Sequence, residues 1–303
     1  MIFLTAELNQ RKAYAFGMGA VICWSTVATA FKLSLEYLSP AQLLLYASLT
    51  SWLFLATILL FKGRFRSTLS SGGWRPYRKA VIFGAFNPLI YYLILFRAYD
   101  LLPAQEAQIL NYSWALTMTL LAIPLLGHKL RWQDAVAALI CYSGVLVIAT
   151  HGDVLGLTFA NPEGVFWALI STVIWALYWI FNSKQEGDAV GALFRNFSCA
   201  IPLTLLYCWI TGELMAVPWQ GLAGAAYVGI FEMGLSFIFW LTAMRLTKST
   251  ASIANLIFIA PLLSLAIISL LLKEAILPST LWGLALILGG LAIQQLKAKP
   301  SET

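Results

Sequence analysis

The chain has 303 residues, of which 60% are hydrophobic and 11% charged, with a mean hydropathy of +0.81; a soluble domain of this length needs far more polar surface, so that class is excluded. One span needs about 20 apolar residues, so ten spans take roughly 200 and leave only short connections. The net charge of +6 sits in the connections between apolar runs, where it marks topology; this excludes nucleic acid as a partner.

The first twelve residues end in Arg11-Lys12 and carry no removable signal sequence, so the first apolar run is expected to be the insertion signal. Apolar runs then follow at Ala13–Ser34, Ala41–Phe61, Ala80–Leu101, Ala104–Leu126 and Trp132–Ala149. A second set runs Val165–Ser183, Val190–Ile210, Ala223–Leu246, Ala251–Leu272 and Ser279–Leu296. Breaks at Leu102-Pro103 and near Thr247-Lys248 separate the third run from the fourth and the eighth from the ninth. The expected fold is all-α: ten transmembrane helices in a multi-pass protein of the inner (plasma) membrane.

Alternate connections differ in Lys and Arg. One side carries fifteen: Arg11, Lys12, Lys62, Arg64, Arg66, Arg75, Arg78, Lys79, Lys129, Arg131, Lys184, Arg245, Lys248, Lys297 and Lys299. The other has Lys32, Arg97 and Lys273, while Arg195 lies just inside the seventh run. Both termini are therefore expected in the cytoplasm. The segment Lys62–Lys79, with six basic residues and no acidic one, also suits anionic lipid headgroups. Cys23, Cys141, Cys199 and Cys208 all fall in apolar runs without a CxxC pair, which points to packing and to neither disulfide nor metal.

The two sets of runs are related. Trp24 recurs as Trp175, 151 positions on; Arg97–Leu101 matches Thr242–Leu246 and Leu126–Lys129 matches Leu271–Glu274, both at 145; Gly144 matches Gly290 at 146. Residues 1–150 and 151–303 thus read as two five-helix repeats. Five being odd, the second repeat crosses the membrane in the opposite sense, an arrangement that places a substrate site near the midplane and supports alternating access.

Gln108-Ile109-Leu110-Asn111-Tyr112-Ser113-Trp114 resembles a signature of the drug/metabolite transporter superfamily, in its ten-span EamA-type branch. The resemblance runs from Ala13 to about Leu296 and is sharpest toward the clade of bacterial aromatic amino acid exporters. Ala115 departs from it, standing where those proteins often carry Pro, although Pro261 keeps nearly the matching place in the second half. The resemblance implies export or facilitation of small metabolites such as amino acids, aromatic ones included.

Ionisable groups deep in a bilayer are costly and so are candidates for function. Glu232 is the single acidic residue in the central third of any run, and at the 145 offset it pairs with Asn87. It is expected to bind a substrate ammonium or to couple to protons; the competing reading is a structural carboxyl bonded to a neighbouring helix. Asn87 with Tyr91, Glu232 with Ser236 and Phe239, Gln108 with Asn111, and Ser252 with Asn255 form polar stripes at helical spacing. They suit a wet cavity or, alternatively, interhelical hydrogen bonds. Trp24, Trp114 and Trp175 lie mid-run, away from the interfaces tryptophan usually occupies, and Tyr92, Tyr178 and Trp179 join them as a candidate aromatic wall. Against this stands ordinary packing.

Pro88, Pro124, Pro202 and Pro261 are expected to shape their helices as fixed kinks. Arg97 and Asp100, three apart, are expected to pair, and Glu106 to line the mouth or lie exposed. No phosphate-binding loop and no HExxH occur, His128 and His151 fall in connections, and no catalytic cluster marks an enzyme such as a lipid-modifying transferase. No cofactor or metal is expected. The expected partners are a small-molecule substrate and membrane lipids; the sequence does not set the oligomeric state, and a monomer is compatible with it. The leading expectation is a transporter of small metabolites with alternating access around Asn87, Asn111, Trp114 and Glu232. The alternative is a proton-coupled antiporter of organic cations using Glu232.

Overall fold

The computed structural model describes residues 8–70, 74–127, 130–156, 159, 161–182, 188–248, 253 and 255–294. Ser252, His128, Lys129, Lys184, Lys297 and Lys299 of the sequence reading lie outside the described residues.

Eight helices are long and apolar enough to cross a membrane: α1 (Gln10–Leu35), α2 (Pro40–Phe61), α3 (Pro76–Leu101), α4 (Ala104–Leu126), α5 (Trp132–Ala149), α6 (Pro162–Asn182), α7 (Ala189–Ile210) and α8 (Trp219–Leu246). Two shorter apolar helices follow, α9 (Asn255–Leu271) and α10 (Pro278–Gln294). In lipid every backbone polar group must be satisfied within the protein, which is why apolar runs of this length become helices. No strand occurs among the described residues. The starts differ from the apolar runs by at most four residues. Thus α3 begins at Pro76 and not Ala80, because Pro at a first turn is compatible with helix even where Tyr77-Arg78-Lys79 interrupts the apolar run.

Local chemistry sets the ends. Ser39 caps α2 reciprocally with Gln42, with Pro40 at the first helical position. Gly127 closes α4 in the left-handed region, at φ 71°. Lys32 of α1 donates to the carbonyls of Tyr99 and Leu102, both at 2.8 Å, and so satisfies the end of α3.

The helices pack across the two halves of the chain. α1 lies on α8 and α9 while α6 lies on α3 and α4; α2 lies on α7 and α8 while α7 lies on α2 and α3; α5 pairs with α10. Several of these contacts come in matching pairs. A β-carbon on Gly84 would stand 2.4 Å from the carbonyl oxygen of Asn196, and one on Gly229, 145 positions later, 2.4 Å from that of Ala47. The Asn9 amide donates to Leu246 O at 2.9 Å and the Asn161 side chain to Leu101 O at 3.0 Å. α3 is broken by a kink at Asn87, within Ala85–Ile90, and α8 widens to π-helical turns over Val228–Leu235. Widened turns are frequent at functional sites; Glu232 lies within that of α8, and Asn87 is itself the kink of α3.

Candidate functional site

α1, α3, α4, α6, α8 and the first turn of α9 enclose a cavity of about 390 Å³. Six of the ten candidate residues line it: Trp24, Tyr91, Asn111, Trp114, Trp175 and Glu232. Gln108 and Trp179, which belonged to the polar stripe and the aromatic wall, line it too, as do Tyr99, Tyr112, Trp240 and Met244.

Glu232 is 7% exposed and accepts the Tyr92 hydroxyl on Oε1 at 3.0 Å. Its Oε2 has no hydrogen-bond partner among the described residues, and neither have Gln108 Oε1 and Trp179 Nε1. A buried carboxylate is costly unless paired, so the free oxygen marks a place where a donor is wanted. Asn111, by contrast, is held: its Nδ2 donates to Ser171 Oγ of α6 at 2.9 Å, and its side chain meets the Tyr91 hydroxyl.

The aromatic wall is organised on Trp175. Tyr91 stacks on it at 4.3 Å and Tyr178 at 5.6 Å, while Trp114 and Trp179 present edges at 6.5 and 5.7 Å. Across the cavity Trp24 and Trp240 pair at 5.2 Å. Ring faces of this kind receive an aromatic body or a cation. Phe31 and Tyr99, edge-on at 5.1 Å and fully packed, close one end of the cavity, whereas Met118, Trp240 and Met244 at the other end are half-buried.

Four candidate residues, Asn87, Tyr178, Ser236 and Asn255, do not line this cavity. Asn87 is 2% exposed and leaves helical geometry at φ −144°, ψ 114° just before Pro88, which removes it from the face that Tyr91 presents; its side chain meets Tyr178. Tyr178 is a support for Trp175. The Ser236 hydroxyl is spent on the carbonyl of Glu232 one turn back. Asn255 is exposed at the start of α9, in the 3₁₀ turn Asn255–Phe258.

Glu106 is neither at the mouth nor exposed. It is 1% exposed and meets His151 Nε2 at 2.7 Å, brought there by a left-handed turn at φ 52° after α5. Arg97 pairs with Asp100 at 2.9 Å, as its spacing predicts, and with Glu163 at 3.0 Å. Replacing His151 by Ala strands the Glu106 carboxyl. It is expected to cost about 1–2 kcal/mol, read as a lower unfolding midpoint in detergent, while Glu106→Gln with His151 kept loses less.

The profile of the EamA-like transporter family matches residues 11–150 and 162–294. The chain belongs to the EamA-like transporter family. It is accordingly a multi-pass membrane transporter and not an enzyme. The transporter is similar to an aromatic amino acid exporter, YddG, of Ancylobacter novellus, 26% identical over 96% of this chain and 100% of that one. A YddG of Salmonella typhimurium is 23% identical over 88% and 91%, and an uncharacterized transporter of Archaeoglobus fulgidus 24% identical over 90% and 95%. One solved crystal structure matches with a TM-score of 0.67 at 23% identity, covering 97% of this transporter and 100% of that chain; at that identity it speaks to the fold alone.

Proposed function

We propose that the transporter moves small metabolites with an apolar or aromatic body and an amino group, amino acids among them, by alternating access around the aromatic cavity. The observation that carries this reading is the free oxygen of Glu232 in a chamber walled by tryptophan and tyrosine. The carboxylate receives the ammonium with Gln108 Oε1 as a second acceptor, the rings receive the side chain, and the Trp179 N–H is left for a carboxylate group. The two relatives named as aromatic amino acid exporters support the aromatic part.

In this reading α1–α10 are ten spans in two inverted repeats, 1–150 and 151–303, with both termini in the cytoplasm. Support comes from the separate profile matches in each half, the paired glycine approaches and the paired helix-end contacts. The fifteen-to-three charge bias orients the chain. Phe31 and Tyr99 then form the closed outer gate, and the cavity faces inward.

A second reading, a proton-coupled antiporter of organic cations, rests on the same carboxyl: no Lys or Arg lines the cavity among the described residues, so a cation meets no repulsion there. Counterflow into proteoliposomes, with a panel of amino acids and amines and with or without a pH gradient, tests both. Aromatic amino acids are expected to exchange. Absence of exchange for every amino acid would end the first reading, and indifference of amine flux to the gradient would end the second.

A further inference from the structure

A second cavity, of about 350 Å³, lies apart from the central one where α2, α3, α6 and α7 meet. Its apolar side is Ala41, Leu93 and Ile94, and its polar side is Arg97, Trp167 and Glu213. The polar residues sit near helix ends: Arg97 in the last turns of α3, Trp167 early in α6, Glu213 just beyond α7. The ends of spans lie at the level of lipid headgroups, so the cavity is polar at headgroup depth and apolar below it.

Its charges select among headgroups. Arg97 donates to Asp100 at 2.9 Å and to Glu163 at 3.0 Å, and Trp167 Nε1 donates to Glu163 at 3.2 Å. The Glu213 carboxylate is fixed by the Ser39 hydroxyl and its carbonyl by Gln42 Nε2 at 2.9 Å. Two carboxylates, Asp100 and Glu163, thus hold the guanidinium, and a third, that of Glu213, lines the same cavity, which disfavours a headgroup carrying only negative charge. An ammonium finds Glu213 and the face of Trp167, and a phosphate finds donors of the Arg97 fork. Tyr207 of α7 lines the cavity too, and with Leu206 and with Phe166 of α6 it is exposed, an apolar surface open to acyl chains.

We infer that this cavity holds the headgroup of an aminophospholipid, with its ammonium on Glu213 and Trp167, its phosphate on Arg97 and its chains along α7. The same amine–phosphate chemistry exists in soluble phosphoethanolamine, and the test separates the two. The purified full chain is equilibrated in detergent with equal amounts of phosphatidylethanolamine, phosphatidylcholine and phosphatidylglycerol of identical chains, and retained lipid is counted by native mass spectrometry. Phosphatidylethanolamine is expected to be retained about fivefold over either competitor, the scale of one partly exposed ionic contact. Glu213→Gln is expected to erase the preference over phosphatidylcholine, and Arg97→Gln to lower retention of all three. Equal retention, a preference for phosphatidylglycerol, or a phosphatidylethanolamine preference that survives both substitutions overturns the inference. So does binding of phosphoethanolamine without retention of lipid.

Discussion

Replacing Glu232 by Gln is expected to lower transport at least about tenfold while leaving the protein folded. Gln keeps an oxygen to accept the Tyr92 hydroxyl, so the contact between α3 and α8 survives the change. What is lost is the charge on the oxygen that no described residue satisfies. A hydrogen bond to a charged group contributes about 1.5–3 kcal/mol, which corresponds to roughly ten- to a hundredfold in binding or rate. The measurement is the initial exchange rate in proteoliposomes at matched incorporation, beside the unfolding midpoint in detergent. Glu232→Asp keeps the charge but withdraws it by one methylene, and is expected to fall between wild type and Gln. Tyr92→Phe removes the fixed donor and frees both oxygens, so it is expected to weaken transport by less than Glu232→Gln. Transport by the Gln variant equal to wild type, with the midpoint unchanged, would leave the carboxyl a structural group and take away the basis of the proposed site.

The helices and much of the cavity wall are legible in the sequence because both follow from elementary periodicity. Apolar runs of span length locate α1–α8 to within four residues, and a lone mid-span carboxyl singles out Glu232. Tryptophans away from the interfaces locate Trp24, Trp114 and Trp175. The errors arise where regular spacing fails. Asn87 and Tyr91 share a face of an ideal helix, but the backbone at Asn87 leaves helical geometry and kinks α3 between them. Pro88 in mid-run was the available signal for that irregularity. Asn255 stands exposed in the 3₁₀ turn that opens α9, outside the cavity lining. Trp240, eight residues beyond Glu232 and on its helical face, lines the cavity where the expected stripe names Phe239. The pairing of Glu106 with His151 joins the start of one helix to the turn after the next, and no local pattern encodes it.

Gly84→Ala and Gly229→Ala are each expected to cost about 1–3 kcal/mol, read as a lower unfolding midpoint in detergent, with a larger loss of transport. An added β-carbon at either position would stand 2.4 Å from a backbone carbonyl oxygen, and backbone cannot step aside as the far end of a side chain can. Small residues at helix interfaces are what let helix backbones approach closely in lipid, where apolar burial gives no drive to associate. Both contacts join the halves, α3 to α7 at Gly84 and α8 to α2 at Gly229, so a methyl group there acts as a wedge on the surfaces that must move if access alternates. Gly289→Ala is the control: nothing lies within 4 Å of its would-be β-carbon, and its effect is expected to stay within about 0.5 kcal/mol. The two wedges touch different partners, so their costs are expected to add in the double variant within about 0.5 kcal/mol. If Gly84→Ala and Gly229→Ala prove as mild as Gly289→Ala, the helices do not approach this closely and the paired contacts lose their force as support for a repeat. If only one of the two is costly, the halves pack by different rules and the symmetry fails where the proposed mechanism needs it.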